Sequence, residues 1–328
     1  MIMTEKITII QTINKTLFEE MARDPNVIVM GEDVGRDGGV FRATDGLWAK
    51  FGEERVIDTP LAESGIIGTA IGMAIYGLRP VCEMQFDGFT YEAFHQIRQH
   101  LSWMRARSQG RFSCPIVIRA PYGGGIRAFE HHSELIETTF ACIPGLKVVC
   151  PSTPYDTKGL LLASIRDPDP VLFLEPKRIY RAFREDVPDE DYTVEIGKAK
   201  VAREGEHVSL FAWGAYVRVC LEAAERMAQA GINCEVVDVR TLNPLDDEMI
   251  LNSVKKTGRA VVVHEAPRTM GLGAEIVARI NEKALTSLQA PVLRVTAPDI
   301  QVPLAKTEHY FLPDAYSVMR AVQQVMSY

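Results

Sequence analysis

No run of about 18 apolar residues occurs in the chain, so no membrane-spanning helix is expected. None of the six cysteines forms a CxxC pair, which leaves neither a redox motif nor a zinc knuckle. Cys82, Cys114, Cys142, Cys150, Cys220 and Cys234 lie in or beside apolar runs, and buried free thiols are expected. An excess of basic residues is missing too: the net charge of -7 speaks against nucleic acid as the main partner. The opening "MIMTEKITIIQ" shows neither a charged leader with a long apolar stretch nor an Arg/Ser-rich transit pattern, so a prokaryotic cytoplasmic protein is expected. No HExxH, no Ser/His/Asp pattern and no cysteine nucleophile emerges. "GEDVGRDGGVF" matches neither the P-loop nor the GxGxxG spacing, and its acids would repel a phosphate.

What is present is alternation. In the first half "NVIVMGED", "RPVCEMQF", "CPIVIRAP", "LKVVCPS" and "PVLFLEP" read as buried strands. Helical patterns separate them over residues 12–23, 62–76, 91–107 and 155–166. The polar stretch "REDVPDEDYTVEIG" reads as a linker at about 184–200. A second, smaller run of the same kind follows, with helices expected over 217–230, 246–256 and 273–288. Strand alternating with helix means an α/β fold with two parallel-sheet domains, 1–190 and 200–328.

Function in such sheets collects at the carboxyl ends of strands. Acids placed there are Glu32, Asp33, Asp87, Glu175, Asp238 and Glu265. Glu63 opens "ESGIIGTAIGMAIY", where Gly65, Gly68 and Gly72 share one helix face. A plain helix-start acid would satisfy the macrodipole. The glycines add something else, since they let a backbone or a flat ligand approach closely. A carboxylate in such surroundings is expected to have a raised proton affinity. His131 and His132 follow the loop "YGGG" and precede an expected helix with Ser133 as its cap. "EPKRIYR" reads mostly as a solvated basic turn, open to an anionic partner or substrate.

Together, "GEDVGRDGGVFRATDGL", "FGEERVIDTPLAESGIIGTAIGMAIYGLRPVCEMQF", "PYGGG", "HHSE", "VVDVRTLNPLD" and "APVLRVTAPD" resemble the beta subunits of thiamine-diphosphate-dependent 2-oxo acid dehydrogenases. The resemblance runs the whole length. It implies a transketolase-like pyrimidine-binding domain followed by a transketolase-like C-terminal domain. Glu63 would face a ring nitrogen of the cofactor's aminopyrimidine, with Leu61, Gln85 and Phe89 lining that pocket. His132 would assist reductive acylation of a lipoyl group. Glu134 stands where many relatives have Gln.

The "GDG…N" motif that clamps magnesium and the diphosphate is absent. The resemblance therefore implies half an active site, completed by an alpha subunit in an assembly of two alpha and two beta chains. It also implies a lipoyl acyltransferase core, docked through its peripheral-subunit-binding domain, and a 2-oxo acid substrate. A potassium-like ion would take oxygens of Ile116, Ser164, Ile165, Asp167 and Asp169. "EPKRIYR" and "QFDGF" favour a branched-chain substrate, with pyruvate and acetoin dehydrogenases and a non-catalytic assembly subunit as alternatives.

Overall fold

Residues 4–328 are described by the computed structural model. One unit runs to Gly123 and resumes over His131–Ile196; the other holds Gly124–Glu130 and Gly197–Tyr328.

The sheet of the first unit follows from its apolar runs. Lys147–Val149, Val171–Pro176, Val117–Tyr122, Arg79–Glu83, Val27–Gly31 and Val56–Asp58 lie side by side in that order, all parallel. Val27–Gly31, Val117–Tyr122 and Val171–Pro176 are buried at every residue, as strands covered on both faces must be. The polar stretch read as a linker contains the strand Glu185–Pro188, which pairs antiparallel with Thr4–Ile7.

The helix Glu63–Tyr76 buries Ile66, Ile67, Ala70, Ile71 and Ala74. Burying each isoleucine stabilises the unit by roughly 2 kcal/mol. Gly77 ends the helix at φ 109°, and Gly77 and Leu78 donate to the carbonyls of Ala74 and Met73. The single helix expected over 91–107 is instead three short pieces. Asp87–Ala93 is a 3₁₀ turn, Gln96–Leu101 a wider π-helical turn, and Met104–Arg107 one α-helical turn. Interrupted helical geometry of this kind often marks a functional segment.

The second unit carries a five-stranded sheet in the order Leu293–Ala297, Ala260–Pro267, Val208–Ala212, Cys234–Asp238 and Lys200–Arg203. Four strands are parallel. Lys200–Arg203 is antiparallel, which corrects the all-parallel expectation. It is a half-exposed edge strand, and only its partner side needs to match. The helices Ala215–Gln229, Asp247–Thr257 and Gly273–Ala284 stand where the sequence placed them, and Ala315–Met326 is a further helix capped by Asp314. No described helix is long and apolar enough to cross a membrane.

Candidate active site

Glu63 occupies the first turn of its helix and is only 5% exposed. Among the described residues no hydrogen bond or ion pair engages its carboxylate. Beside it stands Glu32, at 6% exposure and with Oε1 unpartnered. Burial, followed by repulsion from Glu63 and Asp33, pushes Glu32 up to about 6. On the outer side of the helix Gly72 has nothing within 4 Å of where a Cβ would stand, and Gly65 meets only Ala62. Leu61 is 80% exposed and Tyr76 89%. The acid is thus dry, while its helix stays exposed at Gly65 and Gly72, with the Gln96 side chain beside Gly68.

Two braces hold the opposite wall. Gln85 donates to Asp33 at 2.8 Å, and Asp33 itself sits at φ 58°. Below, Arg119 is fully buried and bonds Glu83 and Glu175 at 2.6 Å each, while the Tyr180 hydroxyl donates to Glu175 at 2.5 Å. This cluster ties together the carboxyl ends of three neighbouring strands.

Phe89 lies on the 3₁₀ turn, against which the Glu63 helix packs. Its ring is 5.2 Å from that of His132, and Phe86 is nearer still at 4.1 Å. Phe86 is thus the closer aromatic neighbour of the histidine. His131 points away, its side chain 74% exposed and its φ at 65°. The expected helix with Ser133 as cap is not formed there. The segment is irregular until Glu137–Ala141, and the Ser133 hydroxyl is buried without a partner. Gly88 is required beneath it, because a Cβ would meet the His131 carbonyl oxygen at 2.3 Å.

"EPKRIYR" is not a solvated turn. Glu175, Lys177, Ile179 and Tyr180 are all buried. Lys177 pairs with Asp87 at 2.9 Å, and burial pushes Asp87 up to about 6 while Lys177 pulls the other way. "GEDVGRDGGVF" is a loop braced from the neighbouring strand: Asp58, at the end of Val56–Asp58, accepts from Gly35 at 2.6 Å and from Arg36 at 3.3 Å. Of the six cysteines, five are buried; Cys142 is exposed, against expectation, because it ends the short helix Glu137–Ala141.

The residues expected around potassium have other partners. Arg79 donates to the carbonyls of Ile165 and Asp167, Lys147 grips the Asp167 carboxylate at 2.8 and 2.6 Å, and Arg105 pairs with Asp169. The Ile116 carbonyl accepts from Val171, and the Ser164 hydroxyl donates to Leu160. Three cationic side chains therefore already lie against oxygens of Ile165, Asp167 and Asp169. Among the described residues no group of three or more His, Cys, Asp or Glu could hold a metal ion.

In the second unit Glu265 accepts from Gly124 at 2.6 Å, and Glu308 accepts from Gly125 and Arg127 at 2.7 and 2.8 Å. His264 is fully buried with both ring nitrogens unpartnered, stacked on Trp213 at 5.2 Å.

Two parallel-sheet units, with a dry carboxylate and an aromatic-wedged histidine on the first, define a transketolase-type α/β protein. The model of the transketolase pyrimidine-binding domain matches residues 5–182, and that of the transketolase C-terminal domain residues 197–318. A chain titled "Split gene transketolase, inactive beta4 tetramer" superposes with a TM-score of 0.80 at 25% identity, covering 98% of this chain and 99% of that one. The sequence is 52% identical to the pyruvate dehydrogenase E1 component subunit beta of Acholeplasma laidlawii, over 97% of this chain and 98% of the relative. It is 51% identical to the same subunit of Bacillus subtilis (strain 168), over 98% and 99%. The chain belongs to the transketolase-like family of 2-oxo acid dehydrogenase E1 beta subunits. The branched-chain preference drawn from "EPKRIYR" and "QFDGF" is not supported, since these relatives are named for pyruvate. The physical reason is visible: Glu175, Lys177 and Asp87 in those stretches are buried scaffold.

Proposed function

We propose that the chain is the beta half of a pyruvate-oxidising dehydrogenase, dependent on thiamine diphosphate and completed by an alpha chain. The observation that carries this reading is Glu63, a nearly dry carboxylate without a protein partner on a helix left exposed at Gly65 and Gly72. Burying such a group is costly unless something meets it. When bound, thiamine diphosphate supplies the electron sink that lets a 2-oxo acid lose carbon dioxide.

The chain's own residues have distinct tasks in this reading. Glu63 would hold a proton against the aminopyrimidine, and Leu61 and Phe89 would wall it from water. Gln85, fixed by Asp33, would contribute a polar edge. His132, wedged against Phe86 and Phe89, would carry a proton during acyl transfer to lipoyl. Magnesium and the diphosphate would be held mainly by the alpha chain, in an assembly of two alpha and two beta subunits docked on a lipoyl acyltransferase. The identity with the pyruvate enzymes supports pyruvate before branched acids. A fold neighbour described as an inactive beta tetramer supports the need for a second kind of chain.

The test is reconstitution of the chain with an alpha subunit, thiamine diphosphate and magnesium. Dye reduction is followed with pyruvate, 3-methyl-2-oxobutanoate and acetoin in parallel. The expected result is preference for pyruvate and no activity from the beta chain alone. Activity of the lone chain, or a formed complex inactive on all three, would overturn the reading.

A further inference from the structure

We propose that Lys177 and Asp87 form a buried clamp that positions His132. The catalytic consequence rests on the role given to His132 above; the clamp itself rests on geometry alone.

Lys177 and Asp87 side chains are both fully enclosed. The ammonium donates to Asp87 Oδ2 at 2.9 Å and to the His132 carbonyl oxygen at 2.6 Å, and reaches the Pro121 carbonyl at 3.5 Å. Its three protons thus have three acceptors. It also lies 5.5 Å from the centre of the Phe86 ring. The carboxylate is equally occupied: Gly123 donates to Oδ2 at 2.8 Å and Gly88 to Oδ1 at 3.0 Å. One ion pair therefore joins the 3₁₀ turn after the strand Arg79–Glu83, the end of Val117–Tyr122, the end of Val171–Pro176 and the backbone of His132.

Stability alone is a poor account of such a pair, since apolar replacements of buried ion pairs are often neutral or stabilising. The distinctive contact is the one to the His132 carbonyl. The segment around it belongs to no helix or strand, so no backbone ladder fixes it. Pulling that carbonyl toward Lys177, while the neighbouring His131 carbonyl packs on the bare surface of Gly88, sets the imidazole against Phe86 and Phe89. Lys177 and Asp87 are positioning residues in this account, not catalytic ones.

The test is the double variant K177M/D87N, which removes both charges so that neither is left buried alone. Carbethoxylation of His131 and His132 is followed in the full chain by peptide mass spectrometry, with exposed His131 as the internal reference. In the wild type His132 should react several-fold more slowly than His131. In the variant the two rates should converge while the thermal midpoint still reports a folded chain. In the assembled enzyme, lipoyl acylation should fall about tenfold further than dye-linked decarboxylation, as misplacement of a reacting group by a fraction of its own width does. An unchanged rate ratio in a folded variant overturns the clamp. Converged rates with unaltered acyl transfer uphold the clamp and remove the role given to His132. Should the double variant not fold, Lys177→Met alone, which leaves a buried Asp87 able to turn neutral by taking up a proton, is held to the same two expectations.

Discussion

Glu32 and Glu63 repel each other across the candidate site, and that repulsion adds to burial in lifting Glu32 to about 6. A carboxyl whose affinity is higher folded than unfolded binds extra protons in the native state. Stability from this group is therefore present below its ordinary value near 4.5 and is lost as the pH rises through 6. Glu32→Gln should raise the urea midpoint at pH 8 and leave it unchanged at pH 4. A midpoint that does not move at pH 8 would dismiss the strain assigned to this acid.

Glu63→Gln keeps the shape of the side chain and removes its proton chemistry. In the reconstituted enzyme, 2-oxo acid decarboxylation should drop on the order of a hundredfold or more, the usual weight of a proton-transferring group. Assembly with the alpha chain, read by gel filtration, should persist. Normal turnover in this variant would take Glu63 out of its proposed role.

His264 titrates in the opposite sense to Glu32. Burial, with Arg294 adding to it, pushes this histidine down to about 3, so it stays neutral in the fold. Its stabilising contribution is whole above the ordinary value near 6.5 and is lost as the pH falls toward 3. His264→Leu should flatten the acid limb of the stability curve between those values. The wild type and the variant would otherwise lose stability in parallel, and the assignment would fail.

Potassium should matter little. Arg79, Lys147 and Arg105 already occupy the oxygens of Ile165, Asp167 and Asp169. Exchange of sodium for potassium at constant ionic strength should leave the thermal midpoint of the chain where it is. A potassium-specific rise would show that these side chains yield to the ion.

Much of the first unit is legible because its signals are local. The helix Glu63–Tyr76 is announced by the turn before it, by isoleucines three and four apart, and by Gly77 at its end. Acids after strands were visible as a class, Glu32 and Asp87 among them. What Asp87 does was not visible, because Lys177 is 90 residues away and only strand order brings the two together. "EPKRIYR" misleads for the same reason: a charged stretch reads as solvated until its partners are known. The single helix expected over 91–107 missed a tertiary contact just before it, where Gly88, in the turn Asp87–Ala93, passes beneath the His131 carbonyl. The terminal helix Ala315–Met326 did carry a signal, Asp314 capping Ser317 ahead of Val318, Val322 and Val325.

The distribution of thiols makes the protein its own probe carrier. Five cysteines are sealed in the core, and burial pushes Cys82, Cys114, Cys220 and Cys234 up, away from reactive thiolate. Cys142 alone faces solvent, ten positions after His132 and next to the buried Phe140. A maleimide dye would therefore mark the native chain at a single place, without any engineered residue. Its emission would report, in real time, whether the segment bearing the histidine shifts when a second subunit arrives.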